Sequence, residues 1–322
     1  MSKSESYKIL LEISKKDLTA SELLYINNHY LQAVFSLQQS VEKAVKSIAV
    51  FAGDVQNPSK EIGHNCANYY KINTDKFKQK IDRFENNDET TEVLCRIMGF
   101  DNSDLTEDLQ GIKEEVNSLE DVIHSVIKKP FTYQFISDAD MLDITSKLKE
   151  IYLEFNYVIS DDSSFFSSEE EFELFKMDMV NKIRNASEFL IDKYQEEGKY
   201  LVENAHELIE DGFKTLGALD KDFWNTMGFM IIQMNYAVKS LYCLSLITDA
   251  HAVSSRYPMN DFNPIEFYTS DLPIIKNFDF LIYTAGNIIE AISCVYEEHD
   301  ILKNQMIHKN KVESSSSNCF EL

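Results

Sequence analysis

The chain is poor in residues that interrupt regular structure, with 5 prolines and 9 glycines in 322 residues. That excludes a collagen-like repeat and a β architecture built from many tight turns. Cysteine is also scarce: the five stand at Cys66, Cys95, Cys243, Cys294 and Cys319, an odd number without a close pair. Neither a disulfide framework nor the paired spacing of a zinc site fits them, and the spacing predicts reduced thiols in a cytoplasmic protein. Met1 to Lys16 holds no sustained apolar run, so no signal peptide is expected. Cations are outnumbered, 31 Lys plus Arg against 54 Asp plus Glu, for a net charge of −23. A surface of that sign repels phosphate backbones and anionic lipid, so a nucleic-acid role requires a local basic cleft, and no membrane partner is expected.

What is present is helical periodicity. Hydrophobic residues make up 44% of the chain, enough for a buried core. Tyr30, Ala33, Val34, Leu37, Val41, Ala44, Val45, Ile48 and Phe51 recur at steps of three and four, one stripe down a helix that Gly53 and Pro58 end. Leu10, Leu18, Leu23, Leu24 and Ile26 predict a helix just upstream, broken near Asn27 and Asn28, so the two should pack as an antiparallel pair. Leu105 to Val126 alternates steps of four and three, the pattern of a narrow seam toward a partner helix. Further helices are expected over Asp138–Ile159, Glu169–Gly198, Lys199–Leu216 and Pro273–Glu298, with Ser168 and Glu171 at capping-box spacing and Asp220 and Asp271 as candidate N-caps. The apolar stretch Trp224 to Ile247 carries Asn225, Gln233, Asn235 and Lys239, which suits a buried central helix better than a membrane span. After the last helix, periodicity fades into a tail expected to be disordered. The class is all-α.

Two separated stretches resemble the HEPN family, helical domains named for higher eukaryotes and prokaryotes nucleotide-binding. Tyr30, Ala33, Phe35, Gln38, Gln39, Glu42, Lys43, Ala44 and Lys46 stand at positions of the family's signature helix, with Ser40 where the family prefers alanine, and Gly63-His64-Asn65 follows it as the family's Gly-His-Asp/Asn does. Ser255-Arg256-Tyr257-Pro258 is similar to the Arg-Tyr-Pro stretch of many members. The resemblance implies an antiparallel bundle whose core is completed by the first two helices and the last. It divides the chain into a first half over residues 1–65, a helical insertion over 66–219, a second half over 220–300 and a tail over 301–322. The long stretch between His64 and His251 can equally be extra helices of one bundle.

Many family members are ribonucleases that pair an Arg with a His after four to six intervening residues. The arginines are Arg83, Arg96, Arg184 and Arg256, and none has a histidine at that spacing. No catalytic residue is therefore assigned, since no imidazole stands where a proton shuttle is needed. Candidate ligand-binding residues are Arg256 and Tyr257, which suit a phosphate and a base, together with His64, His251, Lys43 and Lys46. Structural alternatives stand beside each. Arg256 can tie its loop to an acidic neighbour, His64 can fix a loop through a carbonyl, and Glu42, Lys43 and Lys46 can form a solvated flank in which Glu42 pairs with Lys46.

Two Glu-x-x-His spacings, Glu61 to His64 and Glu203 to His206, raise a di-metal centre. The first falls in a loop and the second faces away from its helix's apolar stripe, so no metal and no cofactor is expected. A phosphate-cradling Gly-rich loop and a nucleophile elbow are both missing from the sequence. The leading expectation is a cytoplasmic, homodimeric, HEPN-like binding protein for a nucleotide, an RNA or a protein partner, in a defence or toxin-antitoxin-like setting. The alternatives are a ribonuclease toxin with a displaced site and an interaction scaffold using the Leu105 to Val126 seam.

Overall fold

The computed structural model describes residues 6–85, 136–160, 165–215, 221–256 and 262–317, and every regular element among them is a helix. In chain order these are α1 (Ser6–Ile26), α2 (Tyr30–Phe51), α3 (Pro58–Glu61), α4 (Ala67–Glu85), α5 (Asp138–Ser160), α6 (Glu169–Asn185), α7 (Ser187–Glu203), α8 (Ala205–Thr215), α9 (Lys221–Thr248), α10 (His251–Ser254), α11 (Pro264–Phe267), α12 (Pro273–Lys276) and α13 (Phe278–Ser317). Two compact units result. One comprises Met1–Asp75, Ser118–Asp161 and Ile231–Tyr296, the other Lys76–Asn117, Asp162–Met230 and Glu297–Leu322. The expected seam from Leu105 to Val126 and the candidate cap Asp220 lie outside the described residues.

The first unit is organised by α1 and α2. Asn28, at φ 60°, takes the left-handed conformation that asparagine tolerates and turns the chain back. Gly53, at φ 73°, ends α2 as expected. The helices run antiparallel along a ladder of buried serines. Ser47 Oγ donates to the Tyr7 carbonyl (2.6 Å), Ser14 and Ser40 each donate to the other's carbonyl (2.8 and 2.9 Å), and Ser21 Oγ donates to the Ala33 carbonyl (2.8 Å). Positions 7, 14 and 21 thus meet 47, 40 and 33, a heptad step on each side. A hydroxyl can reach the opposite main chain only if the two backbones lie close, and the small side chain permits that approach.

The predicted α2 stripe of Ala33, Val34, Leu37, Val41, Ala44, Val45 and Ile48 is buried. The chain's opening hairpin and closing helix share this interior. Tyr296 of α13 packs against Tyr7 and Phe51 with ring centroids 4.5 and 4.6 Å away, and its hydroxyl meets Ser47 Oγ at 2.8 Å. Tyr25 stacks on Phe278 at 4.6 Å. On α5, Met141, Thr145, Leu148 and Ile151 are buried, and Phe155 stacks on Tyr236 of α9 at 4.1 Å.

Several boundaries differ from expectation. The helix predicted over Pro273–Glu298 is divided at Asn277 into α12 and α13, and its N-cap is Leu272 rather than Asp271. α13 continues to Ser317, past the start of the tail expected to lack structure. After Gly286 it meets no Pro or Gly, and Leu302, Lys303, Gln305 and Met306 are strong helix formers.

In the second unit, the predicted break at Gly198 is instead found at Ala186 and Asn204. Gly198 sits against the Leu190 carbonyl where a Cβ has no room, and Gln195 at φ 50° kinks α7 to bring them together. Val180, Ile183, Ala186, Leu190 and Ala205 form its core. The capping box is half as predicted. Ser168 Oγ accepts from the Glu171 N–H (3.2 Å), while the Glu171 carboxylate reaches back to the N–H of Ser167 (2.6 Å). Asn225 of α9 holds the N–H and carbonyl of Phe166 with both ends of its amide (2.9 and 3.0 Å).

Two helical stretches, Lys221–Thr248 and Phe278–Gln305, have the length and hydropathy of a membrane span. Each has 56% of its most apolar stretch buried inside the protein, as core helices do.

The serine ladder makes a direct prediction. Ser40→Ala removes one shared hydroxyl and should cost about 0.5–1.5 kcal/mol. Ser40→Leu must separate the backbones and should cost about 1–3 kcal/mol more. Chemical denaturation of both variants checks this, and equal losses would show that α1 and α2 are not in limiting contact.

Candidate functional site

The face of α2 beside its apolar stripe carries Phe35, Gln38, Gln39, Glu42 and Lys46. At about 100° per residue these fall within one side of the helix. Glu42 and Lys46 were expected on a solvated flank. They pair as their spacing suggested, at 2.6 Å, but both are buried, because α1, α3, α10 and α12 all pack on α2. The Glu42 carboxylate also accepts from Gln38 Nε2 (3.0 Å) and Gln39 Nε2 (3.4 Å).

His64 caps this network. Asn57 accepts the Lys60 N–H, Glu61 takes the N–H groups of Gln56 and Asn57, and Gly63 turns the chain at φ 68°. Nδ1 of His64 then lies 3.3 Å from both Glu42 oxygens, so its partner is a carboxylate rather than the carbonyl expected. Two-thirds of the His64 side chain remains in solvent, at 66% exposure. Burial alone would raise the Glu42 pKa, but the bonds from Lys46, Gln38 and His64 outweigh it and hold the carboxyl below its ordinary value. Glu42 therefore stabilises the fold above the carboxylate range, and that contribution is lost as pH falls through its lowered pKa.

The other candidates separate by role. Lys43 is tied to Asp17 at 2.7 Å. His251 is buried, with Nδ1 2.8 Å from the Tyr268 hydroxyl, which also meets Ser254 Oγ at 3.1 Å. Burial pushes the His251 pKa down to about 3, so this imidazole is neutral and structural. Arg256 has no ion pair among the described residues, unlike the acidic contact expected. Its guanidinium lies over the Phe35 ring, 4.6 Å from the centroid, and Nε is buried without a hydrogen-bond partner among the described residues. Tyr257 lies outside the described residues. Burial and the charges of Asp249 and Glu42 push the Cys66 thiol pKa well up. None of Cys66, Cys243 and Cys294 is in a disulfide.

Phe35 and Glu42 are seven residues apart, nearly two turns, so they share one line along α2 about 10 Å long. Arg256 marks one end of that line and His64 the other, with Gln39 between. Of the described candidate residues, Arg256 and His64 mark its ends and Lys43 reaches Gln39 Oε1 between them at 3.1 Å, while Lys46 and His251 are interior. Phe35 as the platform under Arg256 and the glutamines as carboxylate partners were not assigned from sequence. Their spacing beside the apolar stripe was the available signal. Glu61 is spent on its own loop and Glu203 lies 4.0 Å from Lys199. Among the described residues no group of three or more His, Cys, Asp or Glu is placed to hold a metal.

The family model of the HEPN domain matches residues 7–94, and a HEPN domain associates this part of the chain with nucleotide- or RNA-related function in general. No curated protein and no solved structure matches the chain.

Two outcomes test this network. Lys46→Ala strands the buried Glu42 charge and should cost about 3–5 kcal/mol, whereas Glu42→Leu with Lys46→Met should cost far less. For His251, the unfolded state takes a proton near pH 6.5 and the native state only near 3. Stability should therefore fall by up to about 1.4 kcal/mol per pH unit below 6.5 from this group. His251→Gln should flatten the denaturation midpoint against pH in that window, and an unchanged slope would refute the assignment.

Proposed function

From the HEPN domain over residues 7–94 as premise, we propose that the chain is a binding protein for a nucleotide or the phosphate backbone of RNA, held along the α2 face between Arg256 and His64. The observation that carries the reading is the distribution of charge. Lys43 is neutralised by Asp17 and Lys46 by Glu42, so Arg256 is the candidate cation without an ion pair among the described residues. A guanidinium fork suits phosphate oxygens, and the half-buried Phe35 ring beneath it fixes its plane. His64 supplies a second donor about 10 Å along the helix. The protein acts as a cytoplasmic homodimer in a defence or toxin-antitoxin-like setting, by analogy with the family alone.

Such a site binds weakly. With one uncompensated cation among the described candidate residues of the site, in a protein of net charge −23, affinity for a mononucleotide should fall with salt and show few phosphate contacts in its slope. A native-state ligand raises the melting temperature. Arg256→Ala should weaken nucleotide binding about tenfold or more, and His64→Ala should do so less, with both variants folded. No melting shift at millimolar nucleotide would reject the reading.

A second reading is favoured by the His64–Glu42 contact, because a buried carboxylate orienting an exposed imidazole is an arrangement used for general-base chemistry. RNA cleavage by the wild type that is lost in His64→Ala and kept in His251→Gln would make the protein a ribonuclease with a displaced site.

A further inference from the structure

In the first unit, away from the α2 face, α5 and α9 face each other with matched stripes. Positions 151, 154, 155 and 158 on one helix oppose 232, 235, 236 and 239 on the other around a cavity of about 160 Å³. Its inner wall is apolar, from Ile151, Phe155, Val158 and Ile232. A cavity of roughly 150 Å³ with such a lining takes up a single benzene ring. Exposed Glu154 and Lys239, of opposite charge, also line the cavity, with Lys147 near enough to feel the Glu154 charge. Tyr236 lines the cavity with its ring, and its hydroxyl is fully buried.

We propose that this cavity binds a free α-amino acid carrying one aromatic ring. The ring fills the apolar wall against Phe155, the α-ammonium pairs with Glu154, and the α-carboxylate accepts from Lys239. A ligand with only one of the two charges leaves the other rim residue unanswered, and one with no ring leaves the cavity empty. Stacking on Phe155 holds the Tyr236 ring in place without a ligand, so little order has to be created on binding.

Titration calorimetry of the full chain with L-phenylalanine, 2-phenylethylamine, 3-phenylpropionate and glycine tests the assignment. L-phenylalanine should bind, the two single-charge analogues at least tenfold more weakly, and glycine not at all. Lys239→Ala should weaken L-phenylalanine at least tenfold and leave 2-phenylethylamine unchanged, and Glu154→Gln should do the converse with 3-phenylpropionate. Both substitutions are on exposed side chains, so the fold is retained. No heat with millimolar L-phenylalanine, or undiminished binding in the two charge variants, would overturn the proposal.

Discussion

The close approach of α1 and α2 is the constraint on which the rest of the first unit depends. Serine at 14, 21, 40 and 47 lets the two backbones come near enough for each hydroxyl to bond the opposite main chain. Those hydroxyls are buried, so each must find a partner, and the main-chain carbonyls provide one without a bulky acceptor. Ser47 does more than bridge two helices. It also meets the Tyr296 hydroxyl, which places α13 against the hairpin and closes the interior. The aromatic cluster of Tyr7, Phe51 and Tyr296 then fills the space that small residues leave at that end.

With α1 pressed against one side of α2, its polar face is walled in by the loop after α3 and by α10. A carboxylate buried there has to be charged and fully bonded or not charged at all. Glu42 is the first case, with Lys46, Gln38, Gln39 and His64 around it. The same packing that buries Glu42 leaves His64 outside as its cover, and it forces Arg256 to lie across Phe35. The exposed His64 and the part-buried Arg256 are thus by-products of how tightly α2 is enclosed.

Helical class and the opening hairpin were legible because they depend on local signals: the apolar spacing of α2, the asparagines at the turn and the glycine after Phe51. The sharing of one interior by the two chain ends was legible only through the family resemblance, since periodicity says which face is buried and not against what. Boundaries failed where the deciding interaction is tertiary. Gly198 marks a crowded contact with Leu190 rather than a break, and a glycine in sequence looks the same in either case. Glu42, Lys43 and Lys46 read as a solvated flank because charged residues are seldom buried. Local spacing predicted the Glu42–Lys46 pair but carried no information on how many elements would cover it. His251 looked like a ligand residue for the same reason: its burial beside Tyr268 depends on a contact seventeen residues away.

The acidity of the chain sharpens the meaning of these placements. An anionic ligand approaching a protein of net charge −23 meets repulsion over most of the surface, so recognition rests on short-range bonds to a few donors and long-range steering contributes little. Each lysine or arginine already paired in the fold is withdrawn from that role, since breaking its pair exposes a carboxylate that repels the same ligand. Lys43 and Lys46 are withdrawn in this way, and Lys176 likewise by Glu173 and Glu210. Among the candidate residues, what distinguishes Arg256 is the absence of a carboxylate partner among the described residues, combined with an aromatic platform that holds its plane. In so acidic a molecule a guanidinium packed on a ring, rather than on an anion, keeps its charge available to a ligand.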